Sequence, residues 1–287
     1  MSFGDLNRIN TNLQSLDAQF SLNKINKDLA QTQLRLSTGK RINKAEDDAA
    51  GFSIAAKLSS RIKGLDQALK NTGDAKSVLD IAESNLNSIM DILYTVKTKV
   101  TQAANDTYGT DERGFISDQI TALRNDLNAI VSQTIYQGDN LLDGSYDATF
   151  QVGERSSDTI NVTLTTASTV GSDQSFQASG LSIDTDDISV GQQASANASI
   201  DVVDEAINQV ASAVNQLGID QTKLSIREEI NTQAINSNKS ARSRIEDADF
   251  AQEQSNAVKL QILQQTAIAS LAQANAAPQA VLGFISG

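Results

Sequence analysis

The stretch SVLDIAESNLNSIMDILYTVKTKV, residues 77–100, decides the fold of this chain. Its apolar residues recur at steps of three or four, which places them along one face of an α-helix. The same row continues in phase on both sides of the stretch, through Leu58, Ile62, Leu65, Leu69, Leu79, Ala82, Leu86, Ile89, Leu93, Val96, Val100 and Ala103. It lapses only at Thr72 and Lys76. The unbroken phase predicts one helix of about sixty residues, roughly 90 Å long.

Upstream of this helix, the N-terminal segment has a narrower apolar stripe. Its residues again follow steps of three and four: Leu6, Ile9, Leu13, Leu16 and Phe20. Such a stripe predicts a helix that packs against a partner helix. Gly39 can take the left-handed conformation that ends a helix, and Asn43 with Glu46 three residues later is a candidate N-cap for the long helix.

Downstream, a third helix is predicted by Ile120, Leu123 and Leu127, and the pattern then changes to alternation. Phe150 and Val152, and later Ile160 and Val162, alternate with polar residues as in a β-hairpin whose turn spans residues 153–158. Residues 166–194 are rich in Ser, Thr, Gly, Asp and Gln, which predicts a short exposed connection.

Helical spacing returns from Ile200 to Leu224, and the last segment carries a stripe of its own. That stripe contains Leu260, Leu263, Ala267, Leu271 and Ala274. Residues 1–46 carry seven basic and four acidic side chains, whereas residues 247–287 carry one and three, so the two ends have complementary charge. We therefore predict a mainly α fold, an elongated antiparallel helical bundle or coiled coil in which the N- and C-terminal segments pair, with a small β-hairpin.

Composition excludes several classes of function. The chain has no Cys and no His, so disulfides, thiolate sites, imidazole catalysis and His-ligated metals are excluded; we expect no enzyme and no cofactor. The net charge of -12 disfavours binding to nucleic acid or anionic membranes. The sequence has no apolar run of membrane-spanning length and starts without the pattern of a cleaved signal peptide.

Several long runs of residues resemble those of bacterial flagellins. They are Leu36-Ser37-Thr38-Gly39-Lys40-Arg41-Ile42-Asn43, Phe150-Gln151-Val152-Gly153, Ser240-Ala241-Arg242-Ser243-Arg244-Ile245-Glu246-Asp247-Ala248-Asp249-Phe250 and Leu271-Ala272-Gln273-Ala274-Asn275. The resemblance implies a non-enzymatic subunit of the flagellar filament. Residues 1–46 and 247–287 would form an inner terminal coiled coil, and residues 47–165 and 195–246 a helical rod with its hairpin.

The resemblance also assigns residues to these two layers. Those in the filament core would be Leu13, Leu16, Phe20, Leu260, Leu263, Ala267 and Leu271. Those in the core of the rod would be Leu86, Ile89, Leu93, Val96, Ile120, Leu123 and Leu127.

The partners that the resemblance implies are further copies of the chain, flagellar junction and cap proteins, the flagellar export apparatus and a chaperone that holds the C-terminal helix. The location would be the extracellular filament. Two alternatives stay open on the sequence alone: a hook-filament junction protein, which is made in few copies, and a secreted coiled-coil effector.

Many flagellins are sensed by a Toll-like immune receptor through their rod helices. The matching positions here are Thr95, Lys97, Thr98, Lys99 and Gln119. Strongly sensed flagellins have Arg, Glu and Leu in place of Thr95, Thr98 and Lys99, and Glu in place of Gln119. Because Thr cannot supply the planar, multi-donor guanidinium group of Arg, the resemblance predicts weak or absent sensing.

Overall fold

The computed structural model describes residues 11–166, 174–184 and 188–285 of the chain. The helices are α1 (Leu13–Thr38), α2 (Ala49–Ala103), α3 (Thr110–Gln133), α4 (Gln193–Glu246) and α5 (Phe250–Ile285). The strands are β1 (Ile135–Tyr136), β2 (Asp139–Asn140), β3 (Asp147–Gln151) and β4 (Thr159–Thr163). The predicted mainly α fold with a small hairpin is confirmed. The first two residues of the predicted N-terminal stripe, Leu6 and Ile9, lie outside the described residues.

The chain divides into two compact units. The first, the terminal unit, contains the described residues up to Arg61 together with those from Ser237 onward. The second, the central unit, spans Ile62–Asn236. Helices α2 and α4 each contribute residues to both units.

Helix α2 begins at Ala49, where the cap differs from the one predicted. The Asp48 carboxylate accepts a hydrogen bond from the Gly51 N–H at 2.9 Å, which is N-cap geometry. The predicted N-cap at Asn43 is wrong, because its backbone N–H donates to Asp47 and the chain forms a turn there before the helix starts. Gly39 does end α1 in the left-handed conformation, with φ 69° and its N–H donating to the Arg35 carbonyl.

The core of the central unit forms along the apolar row of α2. Leu86, Ile89, Leu93 and Val96 have no exposed surface. Helices α3 and α4 cover this row with side chains that are also buried: Ile120, Leu127, Val203, Val210, Leu217 and Leu224. Leu123 is half-buried and packs against the same cluster. Fully burying one such side chain contributes about 1.5–3 kcal/mol, so this row accounts for much of the unit's stability.

Helices α2 and α4 run antiparallel within this unit. Lys97 pairs with Asp204 at 2.5 Å, and towards the other end Lys76 pairs with Glu228 at 2.8 Å. At the lapse in the apolar row, Thr72 is fully buried and its hydroxyl donates to the Ala68 carbonyl at 2.8 Å. The polar residue is therefore satisfied by its own helix, and α2 continues without a break.

The predicted hairpin is confirmed as β3 paired antiparallel with β4. The side-chain amide of Asn231 on α4 donates to the Val152 carbonyl at 2.8 Å, and Asn71 on α2 donates to the Gln151 carbonyl at 3.1 Å. These two bonds join one end of the hairpin to both long helices. A second, two-residue pair, β1 with β2, was not predicted because it is too short to show alternation.

The expectation of an exposed connection at residues 166–194 is wrong for the described part of that segment. Its apolar side chains are buried in the core of the central unit: Phe176, Ala178, Leu181, Ile183, Ile188 and Val190. Backbone bonds hold them there, with the Phe176 N–H donating to the Leu142 carbonyl and the Ala178 N–H to the Asn128 side chain. Isolated apolar residues in a polar segment show no periodicity, so the sequence pattern could not predict that they are buried.

Candidate functional site

The terminal pair consists of α1 and α5, which lie antiparallel within the terminal unit. The side chain of Asn12, just before α1, donates to the Ala274 carbonyl at 2.7 Å. At the other end of α1, Arg35 forms an ion pair with Glu253 at 3.3 Å. The expected pairing of the two ends of the chain is therefore confirmed.

The face of α1 that contacts α5 has mixed polarity. Its residues are half-buried or buried and follow steps of three and four: Asn12, Ser15, Ala18, Leu22, Ile25, Leu29 and Thr32. Small and polar residues occupy its first half, and the Ser15 hydroxyl lies 2.7 Å from the Asn275 side-chain oxygen. The contact between α1 and α5 therefore buries little apolar surface in the first half of α1.

The predicted stripe of α1 lies outside this contact. We call Leu13, Leu16 and Phe20 the outer stripe; their exposed fractions are 42%, 53% and 73%. The expectation that this stripe packs against the other terminal helix of the same chain is wrong. The contact face runs one row away, through Asn12, Ser15 and Ala18, so the large apolar side chains point away from α5.

The predicted stripe of α5 is divided between two faces. Leu260, Ala267 and Leu271 are half-buried, in the row that faces α1. Leu263 is 40% exposed and has exposed apolar neighbours at Ile262 and Ile268. Both helices of the terminal pair thus leave large apolar side chains uncovered in the isolated subunit, which is unusual for a soluble protein surface without a binding role.

Backbone hydrogen bonds join the segment between α1 and α2 to the segment between α4 and α5. The Arg41 N–H donates to the Glu246 carbonyl at 2.7 Å, and the Ala248 N–H donates to the Gly39 carbonyl at 2.9 Å. The Lys40 ammonium group adds an ion pair to the Glu246 carboxylate at 2.6 Å. We call this contact the clamp. Sequence patterns gave no sign of it, because it joins segments that are far apart in the chain.

Asp47 fixes the turn beside the clamp. One carboxylate oxygen accepts hydrogen bonds from the backbone N–H groups of Asn43 and Lys44 at 2.9 and 3.0 Å, and the other accepts from the Gln31 side chain at 2.6 Å. The bonds from Asn43 and Lys44, with smaller contributions from Gln31 and Arg35, lower the pKa of Asp47 against the opposing effect of burial. The ionised carboxylate thus links α1 to the turn before α2.

We expect Asp47→Asn to loosen this turn and to reduce the pH dependence of stability. A carboxyl whose folded pKa is depressed stabilises the fold above its unfolded pKa, and that contribution is lost as pH falls through the folded pKa. The parent should therefore lose more stability than the variant between neutral pH and about pH 3. Urea unfolding followed by circular dichroism measures the difference. Asp17→Asn, which neutralises an exposed carboxylate on α1, is the control and should behave like the parent.

The positions that the resemblance assigns to an immune-receptor surface lie on α2 and α3 of the central unit. Thr95, Thr98 and Gln119 are exposed, whereas Lys97 and Lys99 are half-buried. The hydroxyl groups of Thr95 and Thr98 donate to carbonyls of their own helix at 3.0 Å, so both side chains lie against α2. Lys97 is already paired with Asp204.

None of the described helices is both long and apolar enough to cross a membrane. Within the same part of the chain, no group of three or more side chains is arranged to hold a metal ion.

Comparisons with known proteins agree with the arrangement of N- and C-terminal helices described above. Residues 9–147 match the bacterial flagellin N-terminal helical region, and residues 200–285 match the bacterial flagellin C-terminal helical region. The flagellin of Bacillus subtilis strain 168 is 36% identical, with 97% of this chain and 99% of that protein covered. The flagellar filament 33 kDa core protein of Treponema phagedenis is 30% identical, with 96% and 99% covered.

One solved structure shows the same fold. It is described as a flagellar hook-associated protein from Vibrio parahaemolyticus, and it matches 70% of this chain and all of its own with a TM-score of 0.60 at 15% identity. At that identity, the likeness concerns the fold alone. The two matched regions and the nearly full-length relatives together show that the chain belongs to the bacterial flagellin family.

Proposed function

We propose that this chain is the structural subunit of a bacterial flagellar filament, and that it polymerises by docking its terminal pair onto the terminal pairs of neighbouring copies. The observation that carries the proposal is the outer stripe, a row of large apolar side chains that the subunit itself leaves exposed. Repeated contacts between different surfaces of identical copies generate an open helical polymer when the rotation does not close. The filament core protein among the relatives supports this reading.

In the filament, we assign residues 1–46 and 247–287 to the inner layer and residues 47–165 and 195–246 to the surrounding rod. The contact face between α1 and α5 is partly polar, and isolated helices of this kind are marginally stable in water. Docking against neighbours buries the outer stripe and so stabilises α1 and the pair that it forms with α5. Assembly therefore couples the ordering of the terminal helices to binding.

Before assembly, we assign the chain to export through the flagellar secretion channel. A cytoplasmic chaperone would cover the apolar residues of α5 around Leu260, Leu263, Ala267 and Leu271. No enzymatic step enters this function, since the chain acts by forming contacts with junction proteins, cap proteins and copies of itself.

The experiment that tests the proposal is seeded growth. Purified subunit should extend fragments of filament into long tubes visible by electron microscopy, and a chain that lacks residues 247–287 should not. Circular dichroism of the shortened chain shows whether its remaining helices are retained. Failure of the intact subunit to elongate seeds, or incorporation of only a few copies at an end, would favour a junction protein instead.

We also propose that a flagellin-sensing Toll-like receptor responds weakly to this subunit. The side chains at Thr95, Thr98 and Gln119 are uncharged and exposed, and two of them bond to their own helix. We expect purified subunit to give little activation of receptor-expressing cells, and Thr95→Arg to increase the response because it restores a guanidinium group. Activation by the parent at nanomolar concentration would contradict the proposal, and Thr101→Arg, at another exposed Thr of α2, is the matched control.

A further inference from the structure

The central unit contains a cleft that the filament-core contacts leave unexplained. It lies between the turn joining β1 to β2 and the start of β3, and its volume is about 710 Å³. We call it the hairpin cleft. Its lining combines aromatic and acidic side chains: Tyr136, Asp139, Asp143, Tyr146, Asp147 and Phe150.

The aromatic walls of the hairpin cleft are held by the core. Tyr136, Tyr146 and Phe150 are half-buried and pack against the main hydrophobic cluster. Burial, the Asp139 carboxylate and Tyr136 raise the pKa of Tyr146, so its phenol stays neutral at physiological pH. The cleft therefore has aromatic surfaces that are held in part by packing against the core.

The carboxylates give the cleft a surplus of negative charge. Asp143 accepts hydrogen bonds from the Ser145 N–H and hydroxyl at 2.9 and 2.6 Å, and Asp147 accepts from the Asn161 amide at 2.6 Å. These bonds hold both groups in place. Asp139 is exposed and lies opposite Tyr136 in the β1–β2 register. Of the described residues that line the cleft, none is Lys or Arg, so the lining supplies no counter-charge.

The combination of aromatic and acidic side chains favours one class of ligand. The three carboxylates are not among any group that could hold a metal ion, in the part of the chain that the structure describes. Aromatic faces beside fixed carboxylates instead favour an organic cation, because the ring quadrupole attracts a guanidinium or ammonium group and the carboxylates add charge-assisted hydrogen bonds.

We propose that the hairpin cleft binds a Lys or Arg side chain of a neighbouring copy of this chain in the filament. The inference rests on the proposed function, which brings identical copies together. Each copy carries a net charge of -12, so adjacent copies repel unless local pairs of opposite charge offset the repulsion. The chain has 23 Lys and Arg residues to provide the cation, and a negative cleft on one copy complements them on the next.

The first experiment uses the isolated subunit and does not depend on polymerisation. The chain has four Tyr and no Trp, and two of those Tyr line the cleft, so tyrosine fluorescence reports binding directly. The probe is arginine amide with its α-amino group acetylated, and the control is citrulline amide acetylated in the same way, which carries no charge. Arginine amide should change the fluorescence saturably in the millimolar range, whereas citrulline amide should not. Asp139→Asn should weaken arginine amide binding about fivefold to tenfold, while Asp118→Asn, an exposed carboxylate on α3, should not. No saturable response, or an equal response to citrulline amide, would overturn the cation site.

The second experiment tests the source of the cation. Seeded growth of Asp139→Asn should require a higher subunit concentration than growth of the parent and should respond less steeply to added salt, with Asp118→Asn again as control. If Asp139→Asn loses arginine amide binding but grows with the parent's concentration and salt dependence, the neighbouring copy is not the ligand. If the parent itself forms no filaments, the proposed function fails, and the fluorescence titration separately shows whether the cleft binds a cation.

Discussion

Replacing Leu16 and Phe20 of the outer stripe by Gln is expected to abolish filament growth at subunit concentrations where the parent polymerises readily. These side chains are 53% and 73% exposed in the subunit, and the proposed docking would bury them in the polymer. Burying a large apolar side chain contributes about 1.5 kcal/mol or more, and two of them together correspond to about a hundredfold in the critical concentration. Gln is a good helix former, so α1 itself is retained.

Sedimentation of seeded reactions measures the critical concentration of each variant. The unfolding transition and circular dichroism of the free subunit should match those of the parent, which separates loss of docking from loss of folding. Phe115→Gln is the matched control, because Phe115 is 67% exposed on α3 and lies outside the terminal helices. Normal growth of the outer-stripe variant would remove the main support for docking through the terminal pair.

Leu93→Ala is expected to have the largest effect on the stability of the free subunit. Leu93 is fully buried in the middle of the apolar row of α2, where it belongs to the main cluster of the central unit. Removing its side chain loses the transfer free energy and leaves a cavity, which together typically cost about 2–5 kcal/mol. The free energy of unfolding from urea titrations of the monomer measures this cost.

The neighbouring residue provides the comparison for Leu93. Tyr94 is 52% exposed on the adjacent face of the same helix, so Tyr94→Ala should lower the free energy of unfolding much less than Leu93→Ala does. Equal destabilisation by the two substitutions would mean that the apolar row does not define the core, and that the assignment of the central unit's stability to α2 is incorrect.

The sequence allowed the helices to be predicted well because each presents a long periodic row. The phase of Leu86, Ile89 and Leu93 identified the buried face of α2, since a row covered on one side by other helices must keep its spacing. The same argument wrongly predicted that the outer stripe packs against α5. Periodicity shows that a helix has an apolar face, but it does not show whether that face is covered by the same chain or by a neighbouring copy.

Other features could not be predicted because they depend on contacts between segments distant in sequence. Phe176 is buried although its neighbours are polar, because the Leu142 carbonyl and the Asn128 side chain hold its segment against the core. The clamp and the hairpin cleft likewise arise from loops brought together by the folded helices. Loop residues of this kind carry no periodic signal, and only the structure assigns them neighbours.

The position of the clamp and the terminal pair along the chain sets an order of events in folding. Helix α1 ends at Thr38, and the partner that covers its contact face does not begin until Phe250. Contacts between residues so far apart in sequence form more slowly than the local contacts of the intervening helices, so we expect the pair to form late in folding. A chain still being synthesised therefore lacks the partner of α1, and a docking surface that includes both terminal helices can be completed only after α5 has been added.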